Sequence, residues 1–255
     1  MINDLDSTID MWKYVDDTLI SELVGKGHAS NIQDVVTDLS RQSSNEGFEL
    51  NQSKCKELRI SFARRKPEFD PVMVNGKPLE IVNSVKLLGL NIGSDLKWNI
   101  HIAELVKKAN SRLYFLKQLR RASVAQRELI RFYTTCIRSI LEYACPVFHR
   151  SHPAYLSNDL ERLQKRALRI IYPDISYSKA LEVSEISTLF ERRETIAAKL
   201  FKEITNDPQH RLHNLLPARN TNNNYSLRNT RKFVRPVCRT QRYKNSFIAS
   251  HIYDS

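Results

Sequence analysis

Up to about residue 95 the hydrophobic positions recur mostly with a period of two; beyond it the period changes to about 3.6. Trp12, Tyr14 and Val15 lead into Asp16-Asp17, and Thr18, Leu19 and Ile20 resume β-favouring residues, which predicts strand, tight turn, strand with both aspartates at the bend. Ser30 and Gln33 make a Ser-x-x-Gln capping box, and Ile32, Val35, Val36 and Leu39 fall at i, i+3, i+4, i+7, so an amphipathic helix is expected over 31–45, ending before Gly47. Leu58, Ile60 and Phe62 alternate with Glu57, Arg59 and Ser61, the mark of one half-buried strand. Asn75-Gly76 stands between Val72-Met73-Val74 and Leu79-Glu80-Ile81-Val82 as a hairpin turn. A further strand is expected over 85–92, with Gly89 inside it, where a missing side chain lets another backbone or a ligand come close.

Helices follow. One is expected over 100–121; a second after Ser123, whose Ser-x-x-Gln126 box precedes Leu129, Phe132, Tyr133, Cys136, Ile137, Ile140 and Leu141, with Pro146 stopping it. A third, over 156–172, ends at Pro173 and sets Arg162, Lys165, Arg166 and Arg169 opposite Leu160, Leu163, Ala167, Leu168 and Ile171. A fourth runs over 189–204. After Pro208 the chain is rich in Asn, Arg, Ser and Thr, with Asn222-Asn223-Asn224 in its middle, which predicts an extended or partly ordered tail.

Composition narrows the classes. With 255 residues, 41% hydrophobic and 27% charged, the chain has material for a real core and is neither fibrous nor wholly disordered. No run of residues reaches the length of a bilayer span, and the acidic start Met1-Ile2-Asn3-Asp4-Leu5-Asp6 is unlike a secretory signal, so an intracellular protein without membrane partners is expected. Cys55, Cys136, Cys145 and Cys238 show no Cys-x-x-Cys pair and no His-rich partner, which leaves packed thiols as the default. The net charge of +12 is unevenly spread: −3 over residues 1–102, +9 over 103–172, −2 over 173–207 and +9 over 208–253. Basic blocks of this kind meet phosphate backbones or remain solvated faces.

Tyr14-Val15-Asp16-Asp17 carries the sharpest candidate chemistry, because two adjacent carboxylates at a turn offer hard oxygen ligands to Mg²⁺. The same pair also serves plain turn chemistry. Taken in order with the capped helix 31–45, Gly47-Phe48-Glu49-Leu50-Asn51-Gln52-Ser53-Lys54-Cys55-Lys56, the strand 57–62, Val85-Lys86-Leu87-Leu88-Gly89-Leu90-Asn91-Ile92 and Asp95-Leu96-Lys97-Trp98, it resembles the reverse transcriptases of non-LTR (non-long-terminal-repeat) retrotransposons. The resemblance runs from Met1 to Tyr172, closing on Leu160-Glu161-Arg162-Leu163-Gln164-Lys165-Arg166-Ala167-Leu168-Arg169-Ile170-Ile171.

The resemblance implies an RNA-directed DNA polymerase, a nucleotidyltransferase, with an RNA template and a DNA primer as partners. Asp16 and Asp17 would be metal ligands and catalytic residues of a two-Mg²⁺ site, Lys54 a catalytic residue at the leaving pyrophosphate, Tyr14 a neighbour of the primer end, and Leu88-Gly89 a primer grip. Lys107, Lys108, Arg112, Lys117, Arg120 and Arg121 would hold template–primer duplex by phosphate contacts. The implied fold is α+β: a partial antiparallel palm sheet with one helix over 1–98, an all-α thumb over 99–172, a helical extension over 173–207 and a basic, partly ordered tail over 208–255.

A palm polymerase also needs a third carboxylate and fingers that precede the aspartate pair, and nothing in the setting of Asp4, Asp6 or Asp10 matches them. The chain is therefore expected to be a truncated fragment that does not polymerise alone and would need the upstream polymerase segment as a partner. Two alternatives stand beside it: a basic helical nucleic-acid-binding module in which Asp16 and Asp17 are turn residues, and a non-functional retroelement relic. Arg64-Arg65-Lys66 is too short to count as a nuclear address.

Overall fold

A computed structural model describes residues 10–220 and 233–254. Asp4, Asp6 and Asn222-Asn223-Asn224 lie outside them. The chain divides into two compact units between Leu96 and Lys97, the first carrying all the named strands and the second almost wholly helical, which makes the class α+β.

In the first unit β1 (Asp10–Tyr14) and β2 (Asp17–Ser21) form an antiparallel hairpin in which Tyr14 pairs with Asp17. The two-residue turn is Val15-Asp16, so Asp17 opens β2 rather than sharing the bend. Helix α1 (Ile32–Asn45) buries Val35, Val36 and Leu39, as its apolar stripe predicts. Its expected capping box is absent. Ser30 Oγ donates instead to Glu22 (2.6 Å), and Gln33 brackets Met73, accepting from its N–H (2.7 Å) and donating to its carbonyl (3.1 Å). A tertiary clamp to a strand has replaced a local cap.

The strand expected over 57–62 shrinks to β3 (Lys56–Leu58). Arg59 explains the break: it binds Glu57 and donates to the carbonyls of Phe69 (2.7 Å) and Asp70 (2.9 Å), turning the chain out of strand and leaving Ile60 and Phe62 exposed. Asn75-Gly76 joins β4 (Met73–Val74) to β5 (Lys77–Pro78), and both turn residues have positive φ (50° and 73°), the backbone for which Asn-Gly is suited. Beyond it β6 (Glu80–Val82) pairs with β3 in parallel. The stretch read as one strand over 85–92 is a hairpin of β7 (Ser84–Leu87) and β8 (Leu90–Gly93), turned at Leu88-Gly89.

One antiparallel sheet does not form. Among the described residues the strands make four separate two-stranded sheets, one of them parallel, around a small core of Val36, Val72 and Val74 with Ile20, Ile32, Leu50 and Leu79 against it. Strands of two to five residues cannot extend a wide sheet, and each hairpin is held by its own turn.

In the second unit the long helix α2 (Asn99–Arg121) buries Ile102, Leu105, Ala109, Leu113 and Leu116. An aromatic cluster anchors its start: Trp98, His101 and Phe148 lie with ring centroids 5.0–5.9 Å apart, and Trp98 Nε1 donates to Ser151 (2.9 Å). The next rod is α3 (Gln126–Phe132), a π-helical stretch Tyr133–Arg138, and α4 (Ser139–Glu142). Its fully buried positions Leu129, Tyr133, Ile137 and Leu141 recur every fourth residue, a spacing that drifts around a 3.6-residue helix. The wider π turns keep that stripe facing one way. Ser123, expected to cap this rod, instead adopts φ 58° in the preceding turn, and Ala125 occupies the cap.

After the short α5 (Cys145–Phe148), α6 (Ala154–Ile171) starts behind Pro153 and buries Leu160, Leu163, Ala167, Leu168 and Ile171. The sequence patterning does not pick out α7 (Tyr177–Ser184), capped by Ser176. A full capping box of Thr188 and Glu191 opens α8 (Leu189–Asn206). Two further helices, α9 (Gln241–Lys244) and α10 (Phe247–Asp254), lie in the stretch that composition marks as tail. α10 is packed in: Ala249 and Ile252 are buried, and His251 stacks on Phe201 at 4.9 Å.

Candidate nucleic-acid interface

The helical unit's surface chemistry is organised by two neighbouring helices. Asn99 donates to Tyr155 Oη, and Arg166 donates to Asn110 Oδ1 (2.7 Å). Both links join residues 56 apart, so α2 and α6 run side by side in the same direction. At 1.5 Å per residue the two rungs stand about 16 Å apart along the pair.

On α2, Lys107, Tyr114 and Arg121 follow one another at seven-residue intervals on the exposed side, with Lys117 beside them. Tyr114 (60% exposed) and Phe115 (51%) meet edge to face at 5.7 Å and present two rings to solvent among these cations. The six α2 bases do not share this stripe equally. Lys108 is paired with Glu104 (3.0 Å), and Arg112 lies beside buried Leu113 though itself exposed. Arg120, four residues after buried Leu116, is half-buried on the core-side stripe.

The tighter basic face belongs to α6. Arg162, Lys165, Arg166 and Arg169 are all exposed, at helical spacing, opposite its buried leucines. Arg162 is held by Asp159 (2.7 Å) and Lys165 stands over the Tyr177 ring at 5.3 Å. This face is readable from the pattern of bases opposite leucines. What the sequence did not bring out is the exposed Tyr114–Phe115 pair and the alignment of α6 with α2, which is a tertiary fact.

Behind these faces lies a buried polar layer. Tyr133 donates to Gln164 Oε1 (2.5 Å), and Gln164 donates to Tyr177 Oη and the Ser187 carbonyl, both at 3.0 Å. Burial holds the Tyr133 hydroxyl well above its usual range. Arg193, fully buried, donates to His149 Nδ1 (3.3 Å) and Ser157 Oγ (3.0 Å). A guanidinium can only donate, so His149 carries its proton on Nε2, facing Glu194 at 3.0 Å. Burial, then the Arg193 charge, pulls His149 down to about 4. Burial likewise pushes the Cys145 thiol up to about 11, which makes it a packing residue.

In the first unit the residues expected to carry chemistry lie on three different turns. Tyr14, Asp16 and Asp17 are exposed at the β1–β2 hairpin, Lys54 is exposed in a turn over 51–55, and Leu88-Gly89 is the β7–β8 turn. No hydrogen bond or ion pair joins Asp16, Asp17 and Lys54 among the described residues. Nor does any group of three or more His, Cys, Asp or Glu that could hold a metal occur among them.

A family model described as Alkylated DNA repair protein alkB homolog 8, N-terminal, matches residues 98–139, the stretch from Trp98 through α2 and α3 into α4. It covers well under half of the chain. No curated protein and no solved structure matches the chain. The match overturns the resemblance to retrotransposon reverse transcriptases, since the stretch assigned to their thumb is the one that this other family's model recognises. The reverse transcriptase function drawn from that resemblance goes with it. Among the described residues no helix is long and apolar enough to cross a membrane.

Proposed function

We propose that the helical unit is a nucleic-acid-binding module that holds a single strand along the exposed sides of α2 and α6. The observation that carries this reading is the Tyr114–Phe115 pair, two exposed rings set among Lys107, Lys117 and Arg121 and flanked by the Arg162, Arg166 and Arg169 face of the parallel helix. Cations that track a phosphate backbone beside aromatic rings on which unpaired bases stack are the two components of sequence-tolerant single-strand binding. The net +9 over residues 103–172 supplies the long-range attraction. The matching family model adds support, as its description names a protein of DNA repair and its range contains α2.

The test is fluorescence anisotropy with a labelled oligonucleotide of about 16 nucleotides, as a single strand and as a duplex. Affinity should fall steeply with salt, with a log–log slope near −0.7 for each phosphate contact. Charge reversal at Lys107, Lys117 and Arg121 should weaken binding to every sequence alike. Tyr114→Ala and Phe115→Ala should each cost about 1–3 kcal/mol on the single strand and much less on the duplex. Absence of binding at low salt, or binding indifferent to salt and to these substitutions, would refute the module.

A further inference from the structure

A cavity of about 490 Å³ opens where α6 begins. Its wall includes Ala154, Ser157 and Asn158 from the first turns of α6, Phe190 from the start of α8, and Lys244 and Tyr253 from the last two helices with Asn245 between them. The volume falls in the range of small-ligand sites. Phe190 is 53% exposed, so a large apolar ring faces solvent at the rim, while the Tyr253 ring carries Arg235 and Lys244, each at 5.1 Å.

The polar groups around it are unevenly committed. Arg150 is clasped by Glu194 and Asp254, so its charge is already answered. Lys244, over the Tyr253 ring at 5.1 Å, has no acidic partner among the described residues. Asn245 accepts from Gln241 (2.9 Å) through Oδ1, which leaves its amide N–H groups to donate, and the Asn158 amide makes no hydrogen bond among the described residues. No side chain caps α6, an 18-residue helix whose first N–H groups and dipole favour an anion. Aromatic surface, amide edges and a cation with an open helix start are complementary to a base and its phosphate.

The cavity is also continuous with the basic face. Asn158 precedes Arg162 by one turn on the same exposed side of α6, about 6 Å along the helix. We propose that this cavity receives one phosphate-bearing nucleotide at the end of the strand held on α6, its ring against the exposed Phe190 and its phosphate met by Lys244 and the start of α6. The proposal deepens the strand-binding reading and rests on it.

The experiment uses the full chain and one oligonucleotide sequence in two forms, a linear strand phosphorylated at both ends and a covalently closed circle, together with a titration by adenosine monophosphate. The linear strand should bind about tenfold more tightly than the circle. Phe190→Ala and Lys244→Ala should abolish that difference without changing affinity for the circle, which also shows that the variants fold. Arg166→Glu with Arg169→Glu should weaken both forms equally. Equal affinity of wild type for circle and line would overturn the proposal while leaving the strand-binding reading intact. Were neither form bound, strand binding would fail, and the cavity would then stand only if adenosine monophosphate saturates the wild-type chain and not Phe190→Ala.

Discussion

Arg166 reaches across from α6 to donate 2.7 Å to Asn110 Oδ1 on α2, and the guanidinium remains exposed while doing so. It therefore ties the two helices together and still offers its other N–H groups to a phosphate. Arg166→Ala should lower oligonucleotide affinity and make the salt slope shallower by about 0.7, the loss of one single-strand phosphate contact. Stability should change by about 1 kcal/mol or less, because the bond is at the surface. Asn110→Ala removes the same bond but keeps the cation, so its salt slope should match wild type. A shallower slope in Asn110→Ala would assign the effect to helix positioning.

The Tyr133–Gln164 bond makes a stability prediction. Gln164→Leu leaves the buried Tyr133 hydroxyl without its acceptor and the Ser187 carbonyl without its donor, and should cost about 2–3 kcal/mol in urea unfolding. Tyr133→Phe in the same background should recover part of that loss, because the orphaned hydroxyl is then removed. Strict additivity of the two substitutions would show that the bond contributes nothing.

His149 sets a pH window. Its pKa is depressed from an ordinary 6.5 to about 4, first by burial and then by Arg193, so the unfolded chain binds the proton more readily than the native one. Stability is accordingly full above about 6.5 and is lost as pH falls towards 4, with a slope of up to about 1.4 kcal/mol per pH unit for this group. Burial lowers His101, His152 and His251 in the same direction, so their losses add to it. Urea midpoints measured at pH 7, 6 and 5 should fall progressively. A flat profile would show His149 to be solvated.

A turn in the first unit can be improved. Leu88 and Gly89 have φ of 45° and 84°, the backbone that Asn75-Gly76 adopts with the suited pair of residues. Leu88→Asn should stabilise the β7–β8 hairpin by about 1 kcal/mol, since a left-handed backbone costs an ordinary side chain that much. Slower amide exchange across Lys86 and Asn91 would report it. Faster exchange would mean that the Leu88 side chain contributes more than its strained backbone costs.

What the sequence made legible follows interaction range. The stripe Val35, Val36, Leu39 and the bases opposite leucines on α6 are written within one helix, and both appear as read. Asn75-Gly76 is likewise a local signal. The readings that failed depended on partners elsewhere: Gln33 gives up its cap to hold Met73, forty residues on, and Arg59 ends a strand by binding carbonyls at 69 and 70. Arg193, charged and fully buried, looks like any surface base until His149 and Ser157 close on it. The family resemblance built around the Asp16-Asp17 doublet failed for the opposite reason. A two-residue motif is compatible with many contexts, and its own neighbourhood holds no further ligand.

Because α2 and α6 point the same way, their aligned peptide dipoles do not cancel as those of an antiparallel pair would. The track they form has a head and a tail, and a polymer that is itself chemically directional cannot lie on it equally well both ways round. On the proposed strand-binding reading, reversing an asymmetric oligonucleotide changes which of its termini reaches Asn158, so the two orientations should bind with unequal affinity.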